Sequence, residues 1–149
     1  MLVFSSKNFD SLTTEELYQI LALRAEVFVV EQNCPYQDVD GKDIHGIHVL
    51  GYLNNKLVAY ARVLGQGVSY KEYASIGRVL TSASVRGKNY SHALVNYSIT
   101  VCKKNFASQP IKISAQAHLE KFYSKHNFVA TGEAYLEDDI PHIGMTLSH

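Results

Sequence analysis

Between residues 75 and 115 the hydrophobic period changes twice, and this limits the fold more than any other feature of the chain. Residues 75–80 read as a strand. Tyr90, Ala93, Leu94, Tyr97 and Val101 then recur at i, i+3, i+4, i+7 and i+11, which is one face of a helix. Residues 111–115 alternate as a strand again. A strand, a helix and a strand in succession favour a parallel pair joined by a right-handed crossover. The flanking segments read as hairpins. Runs 48–53 and 57–64 are separated by Asn54-Asn55-Lys56, and Asn tolerates positive φ. Runs 128–136 and 143–147 flank the turn Glu137-Asp138-Asp139-Ile140-Pro141. Residues 2–4 form a further strand candidate. Thr13 and Glu16 have capping-box spacing ahead of a helix expected over 14–30, and 33–46 read as a polar loop. The order β α β β β α β α β β predicts a mixed sheet with helices on its faces, an α/β (α+β) fold.

At 149 residues the chain is expected to form one domain, 1–149. A fold of that size buries roughly 68–70% of its unfolded surface, and 46% hydrophobic residues supply the core. Fourteen basic and fourteen acidic residues cancel. The balance argues against intrinsic disorder, nonspecific nucleic-acid binding and a polybasic membrane role. Cys34 and Cys102 are too few for a disulfide framework. The N-terminal residues lack an export signal, and no apolar run reaches the length of a membrane span. A cytoplasmic location with reduced thiols is the expectation.

The chemistry concentrates in residues 76–94, IGRVLTSASVRGKNYSHAL. A strand ends, a polar turn follows, and Arg86-Gly87-Lys88-Asn89-Tyr90-Ser91 opens the amphipathic helix. The first amides of a helix have no internal partners, and the macrodipole is positive there. Such a turn can hold a phosphate or pyrophosphate, with Arg86 and Lys88 adding charge. On these residues alone, an ordinary basic turn before a core helix is an equal reading. The spacing is neither a P-loop nor a dinucleotide-binding turn. It resembles motif A of the GNAT superfamily of acyl-CoA-dependent N-acyltransferases, with Asn89 and Ser91 where the family usually has glycines. Three further blocks resemble the ElaA branch of that superfamily, in the same order along nearly the whole chain. They are Arg24-x-x-Val27-Phe28-Val29-Val30-Glu31-Gln32-Asn33-Cys34-Pro35-Tyr36-Gln37-Asp38-x-Asp40-Gly41, then Ala115-Gln116-Ala117-His118-Leu119 with Phe122-Tyr123, and Glu137-Asp138-Asp139-Ile140-Pro141-His142-Ile143-Gly144-Met145.

The resemblance implies a central mixed, mostly antiparallel sheet splayed open between two parallel strands, those ending at Leu80 and Ala115. Acetyl-CoA, as co-substrate, would enter the splay. Backbone groups of Val79, Leu80 and Thr81 would meet its acetyl and pantetheine portion, and amides of Arg86, Gly87, Lys88, Asn89, Tyr90 and Ser91 its pyrophosphate. An amine would attack the thioester directly in a ternary complex. Tyr123 would be the general acid that protonates the departing thiolate, although its helical spacing with Leu119 and Phe122, taken alone, favours a core tyrosine. Glu31 and His142 are the candidate bases, each also open to a structural role. No metal is implied.

The alternative is a catalytically silent protein of the same fold, binding acyl-CoA or a partner as a regulator. The amine acceptor, small molecule or peptide, is left open, as is a homodimer. No nucleic-acid or membrane partner is expected. Asp38-x-Asp40-Gly41 reads as a solvated turn, since the glycine comes too early for an EF-hand. His45 and His48 lack zinc-ligand company. Cys34 reads as a passive thiol and Cys102 as core filling.

Overall fold

The computed structural model describes residues 1–148. Strand β1 (Leu2–Asn8) leads to the predicted cap, in which Glu16 N donates to Thr13 Oγ1 at 3.0 Å and Thr13 N to Glu16 Oε1 at 2.9 Å. Helix α1 covers only Thr14–Arg24. The helix expected over 14–30 changes its bonding there, and Ala25–Glu31 continues as a π-helical turn. The three valines in Val27-Phe28-Val29-Val30 are stiff at χ1, which disfavours a tight α-turn. Turns of this rare kind occur mostly at functional sites.

Strands β2 (Ile47–Leu53) and β3 (Lys56–Leu64) form the predicted hairpin, with Asn54 and Asn55 both left-handed at φ 51 and 65. Then come β4 (Ala74–Thr81), α2 (Tyr90–Asn105), β5 (Ile111–Gln116), α3 (Glu120–Ser124), β6 (Val129–Ala130), β7 (Tyr135–Glu137) and β8 (Ile140–Leu147). The single strand expected over 128–136 is two short ones. Thr131-Gly132-Glu133-Ala134 offers neither face an apolar alternation, and Gly132 turns the chain at φ 132. Strand β8 starts at Ile140, ahead of the expected 143, because Asp138 and Asp139 take the left-handed turn positions at φ 51 and 62.

The sheet order is β1-β2-β3-β4-β5-β8-β6, with β7 also on β8, and the one parallel pair is β4–β5. Helix α2 covers one face, burying Leu94, Val95, Val101 and Cys102 against Val49, Ala59, Ala61 and Val63. The other face packs Leu50, Leu57, Tyr60 and Leu80 against Ile20 and Val27. With both faces covered, β2 and β3 read as nearly continuous apolar runs. Gly51 is needed for this packing, because a Cβ there would lie 2.9 Å from the Cβ of Ala59.

Strand β4 carries an extra residue. Tyr60 pairs with Leu80 but Arg62 with Gly77, so two steps on β3 match three on β4. The bulge places Arg78 at φ 50, left-handed for a bulky residue, at a cost of about 1–2 kcal/mol. It also re-phases the strand. Ile76 and Val79 both face the α2 side although three residues apart, and Leu80 faces the α1 side.

A buried ionic network holds this bulge. Arg24, fully buried, donates from Nε to Asp38 Oδ2 at 2.8 Å and from Nη1 to Asp43 Oδ1 at 2.7 Å. Arg62 donates to Asp40 Oδ1 and Asp43 Oδ1, each at 2.9 Å. Arg78 Nε lies 2.8 Å from Asp38 Oδ1, and its Nη2 donates to the Asp38 carbonyl at 2.9 Å. Asp38-x-Asp40-Gly41 is therefore not a solvated turn: Asp38 is buried, and its loop is tied to α1, β3 and β4 by guanidinium groups. His48 is buried beside the network. Its Nε2 faces the Asp43 carbonyl at 2.9 Å and so carries the hydrogen, which leaves Nδ1 to accept from the Tyr60 hydroxyl at 2.6 Å.

Removing one partner of a buried pair strands the other, typically at about 3–5 kcal/mol. Asp43→Ala is expected to lose that much stability in urea titration, and Asp40→Ala, whose carboxylate is 23% exposed, clearly less. Burial alone would raise the Asp40 carboxyl, but Arg62 and the Lys42 amide bring it down to about 2. Burial lowers the His48 imidazole below its ordinary 6.5. Both groups bind protons less readily folded than unfolded, so stability should fall with pH in two stages. The first begins below 6.5, where unfolded His48 takes up a proton. The second runs from 3.8 down through about 2 as Asp40 titrates. Urea midpoints measured between about pH 7.5 and about pH 2 read this directly.

Candidate active site

Strands β4 and β5 pair only at Ala74 with Ile111 and Ser75 with Lys112. Beyond those residues they diverge, and a cleft of about 870 Å³ opens between them. The bulge at Arg78 lies on its β4 wall, so the residue that breaks the pleat sits where the strands part. A cleft of this size suits a ligand the size of a cofactor.

The β4 wall runs into the loop before α2. Val79, Leu80, Thr81, Arg86, Gly87, Asn89 and Ser91 all line the cleft. Lys88 is exposed and Tyr90 half-buried, and neither is among its lining residues. Gly87 has φ 85 and Asn89 φ 61, so two left-handed residues turn the chain into the first turn of α2. Asn89 takes this conformation at the position where a glycine was expected, and asparagine does so more easily than other side chains. Nothing lies within 4 Å of a Cβ built on Gly87, which leaves its backbone open to approach. Ser91 Oγ is 3.4 Å from Thr81 Oγ1. These residues fit a bound pyrophosphate and pantetheine: exposed amides at a helix start, opposite a diverging strand.

Arg86 reaches back across the cleft. Its terminal nitrogens pair with both oxygens of Glu31, and it also donates to the Thr81 carbonyl. This pairing holds the Glu31 carboxyl below its usual range, which makes it a poorer proton acceptor than a free carboxylate.

Tyr123 projects from α3 into the splay and is 8% exposed. Edge-to-face contacts with Phe122 and Phe128, at centroid distances of 5.0 and 5.9 Å, fix its ring. Its hydroxyl makes no hydrogen bond among the described residues, yet it is not among their sealed, unsatisfied atoms. It therefore meets the space of the cleft. Burial raises the phenol to about 12, so it is protonated at neutral pH.

His142, on β8, lines the same cleft. Its Nδ1 lies 2.7 Å from the Ile140 carbonyl and so carries the hydrogen of the neutral ring. Its Nε2 then holds the lone pair, with Glu137 Oε2 at 3.6 Å. Of the two candidate bases, His142 has a free acceptor nitrogen and Glu31 is paired.

Sequence reasoning missed other features. His92, in the first turn of α2, lines the cleft and faces His126 at 2.9 Å. His126 Nδ1 is 3.0 Å from Asn96 Oδ1, an acceptor only, so its Nε2 accepts from His92 Nδ1. Burial and the His92 ring both keep His126 below its ordinary range, and hence neutral. The side of the cleft opposite the α2 loop is built from separate segments: Cys34, Tyr36 and Gln37; Ser114 and Gln116; Glu137, Asp138 and Ile140. Cys34 Sγ touches the Asp138 carbonyl at 3.6 Å. No local pattern joins these segments. Among the described residues no cluster of three or more His, Cys, Asp or Glu could hold a metal, and no helix is long and apolar enough to cross a membrane.

Comparison with known proteins agrees with this geometry. A profile of the acetyltransferase (GNAT) domain matches residues 13–149. Protein ElaA of Escherichia coli K12 is 43% identical over 147 residues, spanning 97% of this chain and 95% of ElaA. The crystal structure of an acyl-CoA N-acyltransferase from Pseudomonas aeruginosa superposes with a TM-score of 0.92 at 43% identity, covering 98% of this chain and 99% of that one. The crystal structure of Escherichia coli ElaA gives a TM-score of 0.92 at 41% identity, with the same coverage. The splayed sheet, the helix-opening loop and these matches agree, and the chain belongs to the GNAT acetyltransferase family, in the branch that contains ElaA.

Proposed function

We propose that the protein transfers an acetyl group from acetyl-CoA to an amine by direct attack within a ternary complex. The observation that carries this reading is the buried, unpartnered hydroxyl of Tyr123 facing the splay between β4 and β5. When bound, acetyl-CoA supplies the acyl carbon as a thioester. The amides from Arg86 to Ser91 hold its phosphates, and Val79 to Thr81 line its path. His142 Nε2 takes a proton from the ammonium of the acceptor, because only a neutral amine has a lone pair to give. The N–C bond forms, the C–S bond breaks, Tyr123 gives its phenolic proton to sulfur, and the resulting phenolate takes the second proton that the nitrogen sheds as it becomes an amide. Burial keeps the phenol protonated at neutral pH, so the proton is in place for sulfur. The same loss of solvent that raises the phenol raises a thiol, as the buried Cys102, pushed up to about 11, illustrates.

A silent regulator was the alternative suggested by Asn89 and Ser91. Asn89 meets the left-handed geometry a glycine would have met, which answers that objection for Asn89.

Three measurements test the reading. Coenzyme A or acetyl-CoA should raise the melting temperature, since a ligand of the native state stabilises by mass action. No shift at millimolar coenzyme, with the protein folded, would sink the proposal. Tyr123→Phe should keep coenzyme affinity and most stability while kcat and kcat/KM fall together by about 10²–10⁴-fold. Near-normal turnover with a loss of stability would make Tyr123 a core residue only. His142→Gln should lower kcat by about 10²-fold or more with coenzyme affinity unchanged. If turnover survives, the proton leaves by another route.

A further inference from the structure

The wall of the cleft that faces the coenzyme loop has an unbalanced charge. Arg86 is engaged by Glu31 and the Thr81 carbonyl. Arg78 belongs to the neutral network of three arginines and three aspartates. That leaves Glu137 and Asp138, both lining the cleft at the β7–β8 tip. Neither has an arginine or lysine partner among the described residues. Lys112, the cation on the adjoining face of β5, is turned onto the rings of Tyr70 and Tyr73, at 5.0 and 5.6 Å from their centroids.

Two polar groups, each on a mostly buried residue, open onto the same space without a hydrogen-bond partner among the described residues. One is the Tyr123 hydroxyl. The other is Nε2 of His142, a residue 8% exposed, whose nearest carboxylate oxygen is 3.6 Å away on Glu137. Tyr135, on the same strand as Glu137, stacks on His142 at 6.4 Å. Glu137 and Asp138 are neighbours on one exposed rim of the cleft, and a neutral or anionic substrate leaves their like charges uncompensated. A cation placed between them removes that repulsion.

We propose that the acceptor is a primary amine carrying a second positive charge a few bonds from the reacting nitrogen, with the remote cation held by Glu137 and Asp138 at the tip of the β7–β8 hairpin. This rests on the transfer reading above and leaves its chemistry unchanged. The reacting nitrogen gives up two protons in all and takes the acetyl group. The remote one keeps its proton and only anchors the substrate. Amines bearing a free carboxylate are repelled.

The test uses three five-carbon primary amines that differ only at the far end: 1,5-diaminopentane, pentylamine and 5-aminopentanoate. Their binding to the coenzyme A complex is measured by calorimetry, and thiol release from acetyl-CoA is followed in parallel. The diamine should bind about tenfold tighter than pentylamine, and 5-aminopentanoate more weakly than either. Added salt should shrink the preference, because exposed charges are screened. Asp138→Asn keeps a residue suited to φ 51 and leaves the carbonyl that meets Cys34. In that variant the ratio of diamine to pentylamine affinity should fall toward one. Pentylamine binding as well as the diamine, or an undiminished ratio in Asp138→Asn, would overturn the proposal. Selective diamine binding without thiol release from any amine would instead uphold the cation site and overturn the transfer reading.

Discussion

Three guanidinium groups and three carboxylates, packed under the loop of residues 33–46, hold the working part of this fold in place. Arg24 reaches them from α1, Arg62 from β3 and Arg78 from the bulge of β4. Each ion alone would be costly to bury. Together they form a neutral cluster whose members cannot be removed singly without stranding a partner. The left-handed backbone at Arg78 persists because the side chain beyond it is tied at several points. That bulge lies on the β4 wall of the cleft, and the cleft depends on β4 turning away from β5.

The two sides of the cleft then divide the chemistry. The loop from Gly87 to Ser91 offers amides and two left-handed residues at a helix start, which suits phosphate. The wall made by the loop after α1, the outer face of β5 and the β7–β8 hairpin offers carboxylates, an imidazole and tyrosine rings. Tyr123 stands between them on α3. Its ring is fixed by Phe122 and Phe128, and its hydroxyl remains unpaired.

Features with local causes were legible in the sequence. The capping box at Thr13 and Glu16, the Asn54-Asn55 turn, the helical face from Tyr90 to Val101 and the alternation in β5 all follow from residues a few positions apart. The loop before α2 was legible for the same reason, and the resemblance in its residues supplied the family. The bulge was not, because Arg78 owes its conformation to Asp38 and Asp40, some forty positions earlier. Asp38 and Asp40 looked solvated for want of that same information, and Glu31 looked free because Arg86 lies 55 positions away. The strand expected over 128–136 was drawn too long, since apolar residues at its ends hid the polar break at 131–134.

The cleft is also uneven in how it is assembled along the chain. Its phosphate-facing wall comes from one unbroken stretch, strand, loop and helix, which packs locally onto the sheet. The opposing wall exists only when a segment near residue 34 meets one near residue 138, a separation of 104 positions. The polar contacts across that junction are slight: the Cys34–Asp138 contact at 3.6 Å and a Gln116–Gln32 hydrogen bond at 3.4 Å. Long-range closures of this kind form late in folding and open first in native fluctuations. Local unfolding of the C-terminal hairpin therefore dismantles this wall while the wall made by β4, the loop and α2 stays intact. In hydrogen exchange this appears as early loss of protection in β7 and the start of β8, with α2 still protected.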